Sequence, residues 1–371
     1  MPRPRSIALL TSSFERGGAC RVMTNMANYW AARGVAVTLF SFEDGSTPPF
    51  YPLDERTRMV YLHINRYSPN LWASLVNNAK RFARIRREIR RVRPDAVISF
   101  IDTANVRTLI ALTGLDIPVV VSERIDPAFE EIGPLWTRLR RWTYPLAARV
   151  VVQTRQAAAY FSDLAPERLA IIPNPVIPMP VTGDAPGLRR PALLAVGRMY
   201  PQKGYDLLLR AFARCAPEHP DWTLHVAGDG PLWDELHRLA GELGLAGRVR
   251  FLGQVRDVGG ALAQTDAYVM SSAYEGFPNA LCEAMAGGVA CVSTDCPSGP
   301  ADIIAHGVNG LLARNGDAAS LAGELDRLMG DPELRVRLGR AAAGIVETFS
   351  EERVMGMWEA CLDQAGAGGA Q

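Results

Sequence analysis

The sequence predicts an α/β protein of two doubly wound domains, each a parallel sheet covered by helices. Three observations support that expectation. The chain has 371 residues, about twice the length of an ordinary domain. Short apolar runs bounded by Gly, Pro or Asp recur along it, with helical patterns between most of them. Such alternation is expected of parallel strands joined by crossover helices. Near the middle, Ile172-Pro173-Asn174-Pro175-Val176-Ile177-Pro178-Met179-Pro180 interrupts the pattern. Its prolines deny it both a helix and a central strand, so it reads as a stiff extended linker. Domains at 1–175 and 176–350 follow, then 351–371 with a final helix, Glu352–Leu362, and a disordered tail, Ala365–Gln371. The expected ligand site is a cleft between the strand carboxyl ends of the two domains.

In the first half the expected strands are Ile7–Leu10, Val35–Phe40, Ala96–Ser99, Pro118–Val121, Val150–Gln153 and Leu169–Ile172. The second half gives Leu193–Val196, Leu224–Ala227, Val249–Leu252, Ala267–Met270 and Val289–Ser293. Helices are expected at Ala19–Arg33, Gly204–Arg214, Leu232–Leu243, Ala280–Ala286 and Ala318–Met329. Apolar residues make up 48% of the chain, enough for two packed cores. No apolar run approaches a membrane span, and Ile7–Leu10 is too short for a signal sequence. The six cysteines form no C-x-x-C pair, which suggests reduced, mostly buried thiols in a cytoplasmic protein.

A net charge of +1 hides an asymmetry. Residues 1–178 hold 24 Lys and Arg against 15 Asp and Glu, while residues 179–371 hold 16 against 24. The first half is built to meet anions. Much of its excess lies in Lys80–Arg93, where Phe82, Ile85, Ile89 and Val92 fall on one narrow helical face. Lys80, Arg84, Arg87 and Arg91 form a row nearly opposite, about 16 Å long. A solvated face would normally interleave acids, and only Glu88 does so here. With Trp136-Thr137-Arg138-Leu139-Arg140-Arg141-Trp142, this row is the candidate contact for an anionic inner-leaflet surface or a lipid pyrophosphate.

The strongest motif follows the expected strand Ala267–Met270 and runs from Ser271 through Tyr274-Glu275-Gly276-Phe277-Pro278-Asn279-Ala280-Leu281-Cys282-Glu283 to Gly288. Gly276 and Pro278 bar a helix before Asn279, which suits an N-cap. The free amides of Ala280, Leu281 and Cys282 would then form a phosphate site at a helix N-terminus. Glu275 and Glu283 frame it, and carboxylates accept hydrogen bonds from vicinal hydroxyls; read alone, they also fit two solvated glutamates. Arg198 and Lys203, in the loop Gly197–Gly204, could neutralise a departing diphosphate, or be ordinary loop cations.

These segments resemble the family 4 glycosyltransferases of the GT-B fold. The resemblance rests on the E-x7-E pair within YEGFPNALCEAMAGG, GRMYPQKG, AGDGPL, FLGQV at Phe251–Val255, HGVNGLL at His306–Leu312 and the linker IIPNPV. It runs from about Ser6 to Phe349 and implies two Rossmann-like domains and a retaining, metal-independent transferase. It makes Arg198 and Lys203 the diphosphate pair, Glu283 the ribose ligand and Glu275 the contact to the donor sugar. Backbone of Phe277, Pro278, Asn279, Ala280 and Leu281 would face sugar and phosphates, and Gly253–Val255 the base. Gly17 and Gly18 resemble the glycine pair that lets backbone approach the donor, although a tight strand–helix turn explains them equally. Where many relatives carry a histidine near the donor sugar, this chain has Glu123 and Arg124 within S-E-R-x-D-P. That pattern is similar to the branch assembling lipid-linked oligosaccharides and surface polysaccharides; the two residues suit either an acceptor-side contact or a structural ion pair.

The implied reaction moves a hexose or N-acetylhexosamine from a UDP-sugar to a lipid-linked or membrane-proximal glycan, by an enzyme peripheral to the inner membrane face. The same class using a GDP-sugar or a soluble acceptor is the nearest alternative. A nicotinamide oxidoreductase would need G-x-G-x-x-G after its first strand, which Gly17-Gly18 does not supply. A membrane- or nucleic-acid-binding module would not need the Glu275/Glu283 and Arg198/Lys203 constellation.

Overall fold

A computed structural model describes residues 4–15, 17–65 and 71–367, with the side chains of 71–75 left out. The chain divides into two compact units, one of Met1–Pro173 with Val354–Gln371 and one of Asn174–Arg353.

The first unit is built from β1 (Ser6–Thr11), α1 (Gly18–Ala32), β2 (Ala36–Ser41), β3 (Arg58–Tyr61), α2 (Leu71–Val92), β4 (Ala96–Phe100), α3 (Asp102–Leu112), β5 (Val119–Ser122), α4 (Pro134–Thr143), β6 (Arg149–Val152), α5 (Arg155–Ala159) and β7 (Leu169–Ile171). Its sheet is wholly parallel, in the order β3-β2-β1-β4-β5-β6-β7. Both faces are covered, so the strands are continuous apolar runs: Ala8 and Leu10 pack on one side, and Ile7 and Leu9 are equally buried on the other. In this unit the sequence reading omits β3, α3, α4 and α5. β3 is an edge strand of four residues, only partly buried, too short to give a periodic signal.

The second unit runs β8 (Ala192–Val196), α6 (Tyr205–Cys215), β9 (Thr223–Ala227), α7 (Trp233–Glu242), β10 (Val249–Gly253), α8 (Val258–Ala263), β11 (Ala267–Met270), α9 (Asn279–Ala286), β12 (Cys291–Asp295), α10 (Pro300–Ile303), β13 (Leu311–Arg314), α11 (Ala318–Gly330), α12 (Pro332–Ala342) and α13 (Ile345–Thr348). The parallel order is β10-β9-β8-β11-β12-β13. Side chains alternate between two cores: Leu193 and Ala195 enter one with Ala267 and Val269, Leu194 the other with Tyr268 and Met270. Strand order reverses between β8 and β11, so the loops leaving these two strands flank the crevice where open α/β sheets hold ligands.

Two expectations need correction. The strand placed at Val289–Ser293 begins at Cys291, because Val289 is used to close α9, its amide donating to the Ala284 carbonyl at 3.1 Å. The last helix, α14, spans Glu351–Ala367, so Ala365–Ala367 are helical and not a tail; residues 368–371 lie outside the described residues. From Val354 this helix belongs to the first unit, with Trp358 buried 6.0 Å from the Phe100 ring. The proline-rich segment is extended, and within the second unit its Val176 amide is held by the Phe349 carbonyl at 2.8 Å.

Candidate active site at the strand ends of the second unit

The loop after β8 is fixed by its neighbours. The amide of Gly197 donates to Ala227 and that of Met199 to Asp229, each at 2.9 Å. Gly204 takes φ +58, and a β-carbon there would lie 2.3 Å from the Ser271 carbonyl oxygen, so only glycine permits the approach. The Tyr205 hydroxyl donates to the Gly197 carbonyl at 3.0 Å. Between these anchors Arg198 is exposed, its guanidinium 5.0 Å over the Tyr200 ring, while Lys203 points inward. Lys203 Nζ lies 2.6 Å from Glu275 Oε1.

The loop after β11 is stitched to the first. Ser271 Oγ donates to the Lys203 carbonyl at 2.9 Å, and the Ala273 amide to Gln202 at 2.8 Å. Thr294 Oγ1 on β12 donates to the Ser272 carbonyl at 2.7 Å, and Ser272 Oγ donates to Glu275 Oε1 at 2.6 Å. Glu275 and Glu283 are only 5% and 8% exposed, which rules out the reading of two solvated glutamates.

Asn279 is the first residue of α9 and does not cap it, since its Oδ1 accepts from Asn174 Nδ2 at 2.8 Å. Nor is the Cys282 amide free, because it donates to Pro278 at 3.1 Å. The amides of Ala280 and Leu281 make no hydrogen bond among the described residues, leaving two donors at the positive end of the helix. Phe277 and Leu281 bury their side chains, and Phe277 meets Phe349 edge to face, so these residues offer backbone alone. Gly253 ends β10 at φ +64, and its carbonyl accepts from the Gly228 amide at 2.7 Å; the Val255 side chain is in the core. What sequence reasoning missed is Ser272, whose hydroxyl shares an oxygen with Lys203. The S-x-x-E spacing of Ser272 and Glu275 is that of a capping box, but no helix starts there, so it does not point to this contact.

In the first unit, Gly17 has extended backbone at φ 175, and a β-carbon there meets nothing within 4 Å. The fold therefore does not demand glycine at this turn. Glu123 is buried and paired with Arg140 at 3.5 Å, and it also accepts the Tyr144 hydroxyl. Burial pushes its carboxyl up to about 7, against the pull of Arg140. Arg124 lies 4.3 Å from the Phe100 ring, and loss of solvation lowers its guanidinium to about 9. The ion pair here is thus Glu123–Arg140 and not Glu123–Arg124.

On α2, Ile85 and Ile89 are fully buried and Phe82 and Val92 pack on the same core. The opposite row is less bare of acid than its sequence implies. Glu88 lies 3.5 Å from both Arg84 and Arg87 and 3.9 Å from Arg91. Arg87 and Arg91 remain mostly exposed, as does Lys80. On α4, Trp136 stacks under Arg107, whereas Leu135 and Trp142 are 65% and 66% exposed beside Arg138 and Arg141.

Residues 185–344 match the family described as glycosyl transferases group 1, and residues 16–178 match glycosyltransferase family 4. The chain belongs to the family 4 glycosyltransferases. One relative is the GalNAc-alpha-(1->4)-GalNAc-alpha-(1->3)-diNAcBac-PP-undecaprenol alpha-1,4-N-acetyl-D-galactosaminyltransferase of Campylobacter jejuni, 26% identical over 95% of this chain and 96% of that protein. The lipopolysaccharide core biosynthesis glycosyltransferase LpsE of Rhizobium meliloti is 38% identical over 44% of this chain and 47% of its own. The crystal structure of Anabaena Alr3699/HepE in complex with UDP has the same fold, with a TM-score of 0.78 at 21% identity, covering 98% of this chain and 100% of that one. The family 4 enzyme is therefore a GT-B glycosyltransferase with two Rossmann-like parallel-sheet domains. No helix among the described residues is long and apolar enough to cross a membrane, and all six cysteines are buried and outside any disulfide.

Proposed function

We propose that this glycosyltransferase moves a hexose or N-acetylhexosamine from a UDP-sugar, with retention, to a lipid-linked or membrane-proximal glycan at the inner face of the membrane. The observation that carries the donor-site reading is the Lys203–Glu275 contact of 2.6 Å at the sheet's switch point, beside the unpartnered amides of Ala280 and Leu281. A cation, two carboxylates and a helix N-terminus there match a phosphorylated, polyhydroxylated ligand. Arg198 and Lys203 take the diphosphate, whose charge grows as it leaves; Glu283 takes the ribose and Glu275 the sugar. Gly253 and Val255 offer backbone to the base. Gly17 and Gly18 are the approach point on the first unit, a role supported by the open space at Gly17. The relatives' names support the acceptor class: one acts on an undecaprenol-linked glycan and another builds lipopolysaccharide core. Lys80, Arg84, Arg87 and Arg91 on α2 serve the anionic surface or pyrophosphate. Glu123 and Arg124 support the first unit from within.

Calorimetry with UDP tests the assignment. Glu283→Ala should lose about 1.5–3 kcal/mol of UDP binding, the worth of hydrogen bonds to a charged group. Glu275→Gln should bind UDP nearly normally while transfer collapses. Unchanged UDP affinity in Glu283→Ala removes the ribose role. Turnover of GDP-sugars in preference to UDP-sugars would replace the base.

A further inference from the structure

We infer that Ser272 is a positioning residue for Glu275, holding its carboxylate while Lys203 exchanges that carboxylate for the donor's diphosphate. The inference rests on the donor-site reading above. Glu275 Oε1 accepts two hydrogen bonds of 2.6 Å, one from Lys203 Nζ and one from Ser272 Oγ. The two donors differ in freedom. Ser272 is fully buried, and its carbonyl is tied to Thr294 on β12. Lys203 sits on a flexible four-carbon stem and keeps 23% of its side chain exposed.

A nucleoside diphosphate presents more negative charge than one carboxylate, so it draws the ammonium away. Glu275 then sits at 5% exposure without the ammonium, where an unpaired carboxylate is costly. The Ser272 hydroxyl is the donor that stays. It fixes the carboxylate at the moment the other oxygen must meet the sugar, which is where preorganisation counts. Without it, the carboxylate turns freely once the lysine has left. The loss therefore falls on turnover more than on nucleotide binding.

The test is a double-mutant cycle of Ser272→Ala and Glu275→Gln, with Ser272→Thr as rescue, reading UDP-sugar hydrolysis, UDP affinity and Tm. Ser272→Ala should lower kcat about tenfold to a hundredfold, the span of one hydrogen bond to a charged group, with the Kd for UDP within about twofold. Ser272→Thr should recover most of the rate. In the Glu275→Gln background the same change should cost less than about twofold, because the group it positions has lost its charge. A normal kcat in Ser272→Ala, or an equal loss in both backgrounds, overturns the inference. A merely structural serine would lower Tm and rate alike whatever residue 275 is. The cycle decides even if threonine does not fit. Loss of the donor-site reading would be seen separately, as wild-type enzyme whose UDP affinity ignores Glu283→Ala.

Discussion

Gly228 lies at the end of β9 and carries no reactive group, yet its replacement should cripple the enzyme. Its φ is +147, and a β-carbon there would sit 1.8 Å from the Gly197 carbonyl oxygen and 2.8 Å from the Gly197 carbonyl carbon. An ordinary β-carbon contact is at least about 3.0 Å, so the start of the Arg198–Lys203 loop must retreat by more than about 1 Å. That loop is held at Gly197 by Ala227 and at Met199 by Asp229, so the shift reaches Arg198 directly. Misplacement by about 1 Å at a reacting site costs on the order of a hundredfold in rate. The strained dihedral adds about 1–3 kcal/mol, which for a unit of this size lowers Tm by roughly 3–10 °C. Gly228→Ala should therefore stay folded at 25 °C but hydrolyse UDP-sugar about a hundredfold more slowly. Gly323→Ala is the control, since a β-carbon on that exposed α11 residue meets nothing within 4 Å. Wild-type rate and Tm in Gly228→Ala would refute the reasoning, because the contact that pins the loop would then carry no constraint.

Other expectations follow from the first unit. The Glu123 carboxyl is raised by burial to about 7, so the folded state holds its proton more tightly than the unfolded chain does. Stability relative to Glu123→Gln should thus be greatest below about pH 4.5 and fall as pH rises through 7, by at most about 1.4 kcal/mol per pH unit. Urea unfolding of both proteins at pH 5 and pH 8 checks this, and a gap that ignores pH contradicts it. On α2, reversing Arg84, Arg87 and Arg91 to Glu would crowd acids around Glu88, so Ala at Lys80, Arg87 and Arg91 is the cleaner probe. Each exposed cation is worth about 1 kcal/mol on an anionic surface, so the triple variant should bind phosphatidylserine vesicles about a hundredfold more weakly. Equal vesicle binding would make the row ordinary surface. In the same assay Trp142→Ala should weaken vesicle binding while UDP affinity persists, because that residue is 66% exposed.

The sequence alone determined the repeated strand–helix order, and it did so because both faces of a parallel strand are buried. Runs such as Ile7–Leu10 and Leu193–Val196 must then be apolar throughout and stand out between turn residues. It also placed Glu275 and Glu283 on either side of a helix start, since Gly276 and Pro278 leave the chain no earlier place to coil. The apolar face of α2 was equally plain, because Phe82, Ile85, Ile89 and Val92 recur at helical spacing. Tertiary structure alone decided how charges and donors were shared. Arg84, Arg87 and Arg91 converge on Glu88, Glu123 takes Arg140 in place of its neighbour Arg124, and Asn279 turns from capping its helix to bind Asn174. Lys203 and Glu275 stand 72 residues apart, and only the parallel pairing of β8 with β11 brings their loops together. The return of α14 to the first unit is of the same kind. Local periodicity records which face of an element is buried, whereas partner choice depends on distances between elements far apart in the chain, which spacing along a sequence does not encode.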